Sequence, residues 1–455
     1  MPLIASISGV RGVFGDGLDP ATLVRFALAY GTWCRERGSG RVTVVVGRDA
    51  RVTGELCSRI VVGALQSVGC HVVDAGLATT PTVEMAVLQE GAQGGIVLSA
   101  SHNPAQWNAL KFLNEQGEFL TPDQGAEVLA LAEAGEADVV RYDRIGRVSS
   151  KDFLGDHIDA ILALPFISAE TIGAADYKIV VDGVNSVGGI AIPLLLRRLG
   201  VKPDRIVEIH CEPTGLFAHD PEPLPGHLED LMDAVASSGA DLGIAVDPDA
   251  DRLALVEGGG KFLGEELTQV LAADFMWRRG DGPFATNLSS SRTVEHVAAT
   301  YGQEVYRSAV GEANVVAKMK EVGALVGGEG NGGVILPDLH YGRDALVGVA
   351  IALQTLAERR ITLTEWRNLW PRYGMAKQKV ALDSVDPDSV LRRIAEEYAD
   401  EDVTDIDGVK IDFENSWVHL RKSNTEPIIR VYAEAATVQA AEALADRFVL
   451  EITAL

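Results

Sequence analysis

The stretch GGIVLSASHNPAQWNALKF, Gly94 to Phe112, contains the two features that decide the fold of this chain. Its first five residues form an apolar run typical of a buried strand. A rigid polar turn follows at once, with serine, histidine, asparagine and proline side by side. In an isolated turn, Asn-Pro favours turn initiation, and Ser101 would only hydrogen-bond its own backbone. The rest of the chain shows whether this turn has a further function.

The same arrangement recurs along the chain: a short apolar run ends in a polar or glycine-rich loop, and a helical pattern follows. Further examples are RVTVVVGRDARVTGE, YKIVVDGVNSVGG, DLGIAVDPDADR and GALVGGEGNGG. Strands that alternate with helical segments predict βαβ units and largely parallel sheets. In such sheets ligands bind outside the carboxyl ends of the strands. We therefore expect these loops to line one cleft shared by several α/β domains.

The length of 455 residues predicts three or four domains, with boundaries near residue 145 and just after Arg252. The segment RNLWPRYGMAKQK, with proline and glycine, is predicted to be a linker. After it, KQKVAL, SWVHLRKS and PIIRVYAEA are strand-like, DPDSVLRRIAEEYAD is an amphipathic helix, and a closing helix begins at about Val438. This pattern predicts an α+β module with an antiparallel sheet.

Composition excludes several classes of function. The net charge of −25 argues against nucleic-acid or anionic-membrane partners, because both are polyanions. The four cysteines lack metal-type spacing and no secretory signal is evident, so we expect a reduced, cytoplasmic protein. The longest apolar run, Ala345 to Ala357, is too short to span a bilayer and predicts a buried helix. A phosphate substrate would require basic groups to gather locally.

The hexapeptide DPDADR places Asp247, Asp249 and Asp251 at alternate positions after a strand. Converging carboxylates repel one another unless a cation lies among them, and a short rigid set of oxygen ligands suits magnesium. A solvated acidic turn without metal is the alternative. An EF-hand is excluded, because Arg252 and Gly258 stand where its glycine and its glutamate are expected. Arg252 beside the triplet favours a shared phosphate ligand.

The loop GEGNGG formally matches a dinucleotide fingerprint, but that fingerprint requires a helix to begin at once. Pro337 and Gly342 exclude an immediate long helix here. The glycines would instead allow close backbone approach to a ligand while Glu329 and Asn331 project into it, a pair suited to sugar hydroxyls. A structural turn without ligand fits this loop equally well.

The segment RKSNTEPIIR concentrates cations and small hydroxyls between two strands. Arginine binds phosphate oxygens in a bidentate manner, and hydroxyls and amides complete such a cradle. A surface hairpin without ligand is the alternative. The candidate phosphate ligands are Arg421, Ser423, Asn424, Thr425 and Arg430. The two arginines of this set, together with Arg11, Arg48, Arg252 and Lys111, would form a positive cleft in an acidic protein.

With these loops, the chain resembles the α-D-phosphohexomutase superfamily from end to end. SGVRG and GRDAR precede SASHNPAQWNALK, which is similar to the phosphoserine loop. DPDADR is similar to the metal loop, GGEGNGG to the sugar-specificity loop and RKSNTEPIIR to the phosphate-binding loop. The motifs come in the family's order and with fitting separations.

The resemblance implies an α/β fold of four domains around a central cleft, three related α/β domains with mixed sheets and a C-terminal α+β domain. We expect these domains at residues 1–144 (phosphoserine loop), 145–253 (metal loop), 254–370 (sugar loop) and 371–455 (phosphate loop).

The resemblance also implies a role for each matching residue. Ser101 would be phosphorylated, and with Asp247, Asp249 and Asp251 would hold one Mg²⁺ ion. Lys111 and His102 would serve proton transfer or charge stabilisation. The others would act on phosphate and sugar: Arg11 and Arg252 on the phosphoserine and the transferring group, Glu329 and Asn331 on sugar hydroxyls, and Arg421, Ser423, Asn424, Thr425 and Arg430 on the phosphate that is not transferred.

The chain departs from the commoner family pattern at four positions. Pro248 and Ala109 stand where glycine is usual, and Asn331 and Gly333 stand where many members have serine and histidine. The changes in the sugar loop resemble the phosphoglucosamine mutase branch of archaea and some bacteria.

We therefore expect an isomerase that interconverts hexose 6-phosphate and hexose 1-phosphate, with glucosamine phosphate as the first choice and mannose or glucose phosphate as the alternative. A hexose 1,6-bisphosphate would be the activator and a sugar phosphate the small-molecule partner of a monomer or homodimer. More distant alternatives are a phosphoserine-dependent phosphatase and a non-catalytic sugar-phosphate binding protein.

Overall fold

The structure is a computed structural model that describes residues 3–6, 9–38, 40–135, 137–382, 386–422 and 428–454. The chain forms two compact units. The first contains the chain up to Phe275 together with Asn331–Arg367, and the second contains Met276–Gly330 together with the chain from Asn368 onward.

The N-terminal part of the first unit is a mixed eight-stranded sheet with helices. Its elements are β1 Ile4–Ser6, β2 Gly9–Phe14, β3 Gly17–Leu18, α1 Pro20–Arg37, β4 Thr43–Arg48, α2 Gly54–Ser67, β5 His71–Leu77, α3 Thr80–Glu90, β6 Gly94–Leu98, β7 Trp107–Leu113, α4 Pro122–Ala134 and β8 Val148–Ser150, with a 3₁₀ turn at Tyr142–Arg144. The strand order is β1-β2-β7-β6-β4-β5-β8, and β3 pairs with β2. Strand β4 is parallel to β5 and β6, whereas β7 runs antiparallel to β6. Apolar side chains on both faces, such as Val45 and Val46, therefore lie in the core.

A second sheet with its own helices follows in the same unit. Its elements are α5 Leu154–Leu162, α6 Ala169–Ala174, β9 Ile179–Asp182, α7 Gly188–Arg198, β10 Ile206–Ile209, α8 Glu229–Ser238, β11 Leu242–Val246, β12 Leu253–Glu257 and β13 Lys261–Phe262, with 3₁₀ turns at Pro203–Arg205 and Pro225–His227. Strands β10, β9 and β11 are parallel, and β12 returns antiparallel to β11 with Val246 opposite Leu253. The DPDADR hexapeptide is thus the connection between two buried antiparallel strands.

The next part of the chain contributes to both units. Its elements are α9 Glu266–Trp277, β14 Phe284–Asn287, α10 Thr293–Tyr301, β15 Val305–Ser308, α11 Glu312–Val322, β16 Val326–Glu329, β17 Gly333–Ile335, α12 Ala345–Arg359 and α13 Leu363–Arg367. In the second unit, β14 pairs in parallel with β15 and β16. In the first unit, α12 is buried from Ala345 to Leu356.

The C-terminal module lies in the second unit. Its elements are β18 Gly374–Ala381, α14 Pro387–Glu397, β19 Asp402–Thr404, β20 Val409–Asp412, β21 Trp417–Lys422, β22 Ile428–Ala435 and α15 Val438–Ala454. The strands pair antiparallel in the order β18-β22-β21-β20-β19. Helices α14 and α15 cover this sheet with Leu391, Ile394 and Phe448, among others.

The predicted fold class, three α/β domains with mixed sheets followed by an antiparallel α+β domain, is confirmed. The buried helix predicted at Ala345 and the helix with proline in its first turn, α14, are also confirmed. Among the residues described, no helix combines the length and the apolar character needed to cross a membrane.

Two local predictions were wrong. After the loops at Ser101 and Asp247 the chain continues as a strand, not as a helix, and a strand also follows the loop at Glu329, where Pro337 and Gly342 had excluded an immediate long helix. The apolar runs there, such as LALVE, are too short for a helix and pair with the preceding strand in the first two cases. The predicted linker RNLWPRYGMAKQK ends early, because β18 already begins at Gly374.

Candidate active site

The loop after β6 holds Ser101 in an unusual backbone conformation. Ser101 has a φ of 48°, in the left-handed region that is rare for residues with a side chain. Ser99 stabilises it: its hydroxyl accepts a hydrogen bond from Ser101 N at 2.9 Å and donates one to Asp49 Oδ2 at 2.7 Å. Strained backbone at a polar loop is a frequent property of functional sites.

Arg51 holds the rest of this loop, and sequence reasoning did not identify it. Its side chain is 1% exposed and forms a buried ion pair with Asp49, Nε to Oδ2, at 3.0 Å. Its guanidinium nitrogens donate to the carbonyl oxygens of Ser101 (2.5 Å), Asn103 (2.6 Å), Pro104 (2.7 Å) and Trp107 (3.1 Å). The motif GRDAR contained this arginine. Its acceptors are backbone carbonyl oxygens, which every residue has, so a pattern of side chains does not reveal them.

The acidic loop between β11 and β12 brings its three carboxylates together. Asp247, Asp249 and Asp251 are each 0% exposed, and one oxygen from each lies within 4.8 Å of the others. The side chains converge because Ala250 has a φ of 52°, which turns the chain sharply. Ser101 Oγ donates to Asp247 Oδ2 at 2.6 Å. The predicted nucleophile and the predicted metal ligands therefore form one cluster.

The hydrogen bonds of the cluster leave some carboxylate oxygens open. Asp247 Oδ1 accepts from the backbone nitrogens of Asp251 and Arg252, both at 3.1 Å. Asp249 Oδ2 accepts from Lys111 Nζ at 2.6 Å. Among the described residues, Asp249 Oδ1 and Asp251 Oδ1 are buried and have no hydrogen-bond partner. Buried oxygens without partners are rare, and hard oxygen donors fit a magnesium ion.

Electrostatics differ sharply within the triplet. Burial, followed by the charges of Asp251 and Asp249, raises the pKa of Asp247 well above its usual value. Burial also acts on Asp249, but the Lys111 ammonium outweighs it and holds the pKa of Asp249 below its usual value. Burial and mutual repulsion therefore disfavour three adjacent negative charges in the triplet unless a cation lies among them.

Lys111 is almost fully buried on β7, 6% exposed, beside this cluster. Burial lowers its pKa, but Asp249 and Asp251 outweigh this effect, and the net result is a raised pKa. Its ammonium lies 3.6 Å from Asp251 Oδ2. Lys111 is therefore a charged group at neutral pH, attached to the acidic loop.

His102 lies beside Ser101, and the charges of Arg11 and Arg252 act on its imidazole. His102 Nδ1 lies 3.4 Å from Ser101 Oγ, and burial together with Arg252 and Arg11 lowers the pKa of the imidazole well below its usual value. Arg11 Nη1 donates to Asn103 Oδ1 at 3.3 Å. Arg252 lies 3.9 Å from Asp251 Oδ1. Two cations, Arg11 and Arg252, thus act on the imidazole next to the serine oxygen in an otherwise acidic protein.

The sugar-loop residues are divided between the units. Asn331, in the first unit, accepts a hydrogen bond from Gly333 N at 3.2 Å through Oδ1. Glu329, in the second, is 2% exposed, and its Oε1 accepts from Asn287 Nδ2 at 2.8 Å and from Gly311 N at 3.2 Å.

The phosphate-loop arginines lie on neighbouring strands of the C-terminal sheet. Arg421 on β21 pairs directly with Arg430 on β22, which pairs on its other side with Lys379 on β18. Like charges opposite each other in a sheet are destabilising, so this row of cations favours a bound anion. Arg421 Nε also contacts Asp407 Oδ2 at 2.8 Å. The other predicted ligands, Ser423, Asn424 and Thr425, lie outside the described residues.

Four family models match successive parts of the chain. They are described as phosphoglucomutase/phosphomannomutase alpha/beta/alpha domains I, II and III, at residues 4–138, 155–260 and 264–373, and the C-terminal domain, at residues 379–451.

Relatives and solved structures agree with these matches. A "Phosphoglucomutase/phosphomannomutase" of Thermococcus kodakarensis is 35% identical over 431 residues, covering 94% of this chain and 93% of that protein. A "Probable phosphoglucosamine mutase" of Methanopyrus kandleri is 34% identical over 450 residues, covering 97% and 96%. A crystal structure of a phosphoglucomutase/phosphomannomutase family protein from Burkholderia thailandensis superposes with a TM-score of 0.85 at 26% identity, covering 99% of this chain and 97% of that one. The chain therefore belongs to the phosphoglucomutase/phosphomannomutase family of the α-D-phosphohexomutases, and is an isomerase.

Proposed function

We propose that Ser101, in phosphorylated form, carries the phosphoryl group in a reaction that interconverts hexose 6-phosphate and hexose 1-phosphate. The observation that carries this proposal is the 2.6 Å contact between Ser101 Oγ and Asp247 in a buried triplet of carboxylates. A serine that only shapes a turn needs neither a metal-type cluster nor flanking cations. A serine that exchanges phosphate needs both.

The proposed reaction has two transfers. Phosphorylated Ser101 loses its P–O bond as the free hydroxyl of a hexose monophosphate forms one, and the hydroxyl proton passes to a base. The hexose bisphosphate then presents its other phosphate, which returns to Ser101 Oγ, while the sugar oxygen regains a proton. The net change is the position of one phosphate, and a hexose 1,6-bisphosphate added from outside restores any Ser101 that has lost its phosphate.

The acidic loop fits one Mg²⁺ ion. Asp247, Asp249 and Asp251, with an oxygen of the Ser101 phosphate, would hold it. The ion would shield the charge of the transferring phosphoryl group when bound. Arg11 and Arg252 would add positive charge, and transfer of this kind depends mainly on such positioning and charge stabilisation.

Two residues are candidates for moving the proton. His102 has a lowered pKa, is neutral at pH 7 and can accept a proton. Lys111 has a raised pKa and is charged, which suits it to donate a proton or to stabilise negative charge. Both lie in the first unit with Ser101.

Substrate recognition falls to the remaining predicted residues. A carboxylate and an amide, Glu329 and Asn331, suit neighbouring sugar hydroxyls. Arg421 and Arg430, with Ser423, Asn424 and Thr425, suit the phosphate that is not transferred, and the cation row formed with Lys379 supports this assignment. We assign these roles within domains at 1–144, 145–253, 254–370 and 371–455 of a cytoplasmic monomer or homodimer.

Glucosamine phosphate is the proposed sugar, with mannose or glucose phosphate as the alternative. The Asn331 and Gly333 pattern and the relative named as a phosphoglucosamine mutase support the first choice. The relative named as a phosphoglucomutase/phosphomannomutase supports the second.

The test compares kcat/KM for the 6-phosphates of glucosamine, mannose and glucose, with Mg²⁺ and the matching bisphosphate present. We expect the highest value for glucosamine 6-phosphate, and a tenfold preference for mannose phosphate would overturn that choice. Release of inorganic phosphate without isomer would indicate a phosphatase. Failure of intact-mass measurement to detect one loadable phosphate on the chain would indicate a binding protein.

A further inference from the structure

Arg343 occupies the space that a side chain at position 333 would need. A Cβ atom at Gly333 would lie 2.3 Å from Arg343 Cδ and 2.9 Å from Arg343 Cγ, well inside contact distance. Gly333 is not among the glycines with positive φ, so its backbone could accept another residue. The requirement for glycine is therefore steric, and it comes from the stem of Arg343.

The backbone that carries Arg343 is fixed to the acidic loop. Arg343 forms an antiparallel bridge with Ile335, and Ala345 N donates to the carbonyl oxygen of Ala250 at 3.2 Å. The next residue, Asp344, caps α12 through Oδ1, and its Oδ2 lies 2.9 Å from His157 Nε2. The stem therefore starts from a rigid point beside the three carboxylates.

The guanidinium of Arg343 reaches the carboxylate at the end of the triplet. Its Nη2 donates to Asp251 Oδ2 at 2.8 Å, and both side chains are buried. Lys111 Nζ lies 3.6 Å from the same oxygen. Asp251 Oδ1, by contrast, has no hydrogen-bond partner in the described part of the chain. Two cations thus hold one oxygen of Asp251 and leave the other open.

We propose that Arg343 is a positioning residue of the reaction: it holds Asp251 by Oδ2, presents Oδ1 alone to the divalent cation, and limits the affinity for that cation through its own charge. This arrangement requires glycine at position 333, because any larger residue would displace the aliphatic part of the Arg343 side chain. The inference rests on the proposed function, since it assigns Asp251 to cation binding.

Two opposing free-energy contributions decide how replacement of Arg343 changes the affinity for the cation. Removing the Arg343–Asp251 hydrogen bond costs the net contribution of one hydrogen bond. Removing a positive charge from within a few ångströms of a divalent cation relieves an electrostatic repulsion. At a protein-like dielectric this gain is severalfold larger than the cost of the lost hydrogen bond. A neutral residue at 343 should therefore bind the cation more tightly, while a freely rotating Asp251 slows turnover.

The experiment uses the full chain, stripped of metal, with Mn²⁺ as the probe and electron paramagnetic resonance as the readout. We expect Arg343→Gln to bind Mn²⁺ about tenfold more tightly than wild type, and its kcat with Mg²⁺ to fall with little change in KM. Arg343→Lys, which keeps the charge, should bind Mn²⁺ nearly as wild type does. Weaker or unchanged binding by Arg343→Gln would overturn the inference alone, whereas a wild-type protein that binds no Mn²⁺ would overturn the proposed function as well.

A double-mutant cycle tests the steric part separately. Gly333→Ala should lower the melting temperature and raise the Mn²⁺ affinity, because it displaces the Arg343 stem. In an Arg343→Ala background, which lacks Cγ and Cδ, the same Gly333→Ala change should shift both quantities far less. Equal effects of Gly333→Ala in the two backgrounds would show that the two residues are independent and would overturn the proposal.

Discussion

Ser101 and Asp247 are 146 positions apart in the chain, yet Ser101 Oγ donates to Asp247 Oδ2 at 2.6 Å. The contact joins two loops that each follow a buried strand, β6 and β11, in the same unit. Both loops contain a residue with positive φ, Ser101 at 48° and Ala250 at 52°. In both loops the strained backbone orients side chains, so that the Ser101 hydroxyl faces the carboxylate triplet.

Replacement of Ser101 by alanine removes the only atom that could carry the phosphate at this position. We expect kcat for isomerisation to fall by at least about 10³-fold, as for loss of a catalytic nucleophile. Intact-mass measurement after incubation with a hexose bisphosphate should show no added phosphoryl group. Ser67→Ala is the matched control, because that hydroxyl donates to the nearby Ala64 carbonyl on α2. Undiminished isomerisation in Ser101→Ala would contradict the mechanism.

Replacement of Asp249 by asparagine removes a negative charge from the centre of the triplet. Mn²⁺ binding should weaken by at least about tenfold, since each carboxylate attracts the cation strongly at these distances. Isothermal titration with Mn²⁺ measures this directly, without reference to turnover. Asp233→Asn, an exposed acidic residue on α8, is the control and should bind as wild type does. Equal affinities in the two variants would show that the triplet is not a cation site.

Replacement of Arg51 by lysine keeps the charge but removes the planar set of donors. Several carbonyl oxygens of the Ser101 loop would lose their partners in a buried site. We expect a loss of about 3 kcal/mol in the free energy of unfolding, measured by urea denaturation. Arg141→Lys, at an exposed pair with Asp143, is the control and should change it by less than about 1 kcal/mol. Comparable losses in both would show that Arg51 does not hold the loop.

Much of this site was predictable from the sequence, because strands, loops and side-chain chemistry are local properties. The pattern after β11 predicted three converging carboxylates, and the structure places them within 4.8 Å. Arg51 was not identified, since its carbonyl acceptors belong to the backbone and could be any residue. The return of the chain as β7 was missed for a related reason. A short apolar run with a buried lysine fits a strand or a helix, and only pairing with β6 decides between them.

His340 lies in a buried network with two carboxylates and a second imidazole. Its Nδ1 is 3.3 Å from Glu84 Oε2 and its Nε2 is 3.3 Å from Asp344 Oδ2, while the His157 ring lies edge-on at 6.2 Å. Burial alone would lower the pKa of His340, but the neighbouring Asp344 and Glu84 carboxylates outweigh it and raise the pKa to about 10. The imidazole is therefore charged in the folded protein at neutral pH.

This raised pKa predicts a loss of stability at alkaline pH. The folded protein keeps the His340 proton up to a pH of about 10, whereas the unfolded chain releases it above about 6.5. The stabilisation is thus complete below about pH 6.5 and is lost as the pH rises to about 10, at a slope approaching 1.4 kcal/mol per pH unit for one proton. The free energy of unfolding of wild type relative to His340→Gln, measured by urea denaturation from pH 6 to pH 10, should decrease along that slope, because titrating groups other than its partners Glu84 and Asp344 cancel in the difference. His227→Gln, which replaces a half-buried imidazole outside this network, is the control. Parallel curves for wild type and His340→Gln would mean that His340 is neutral between its two carboxylates.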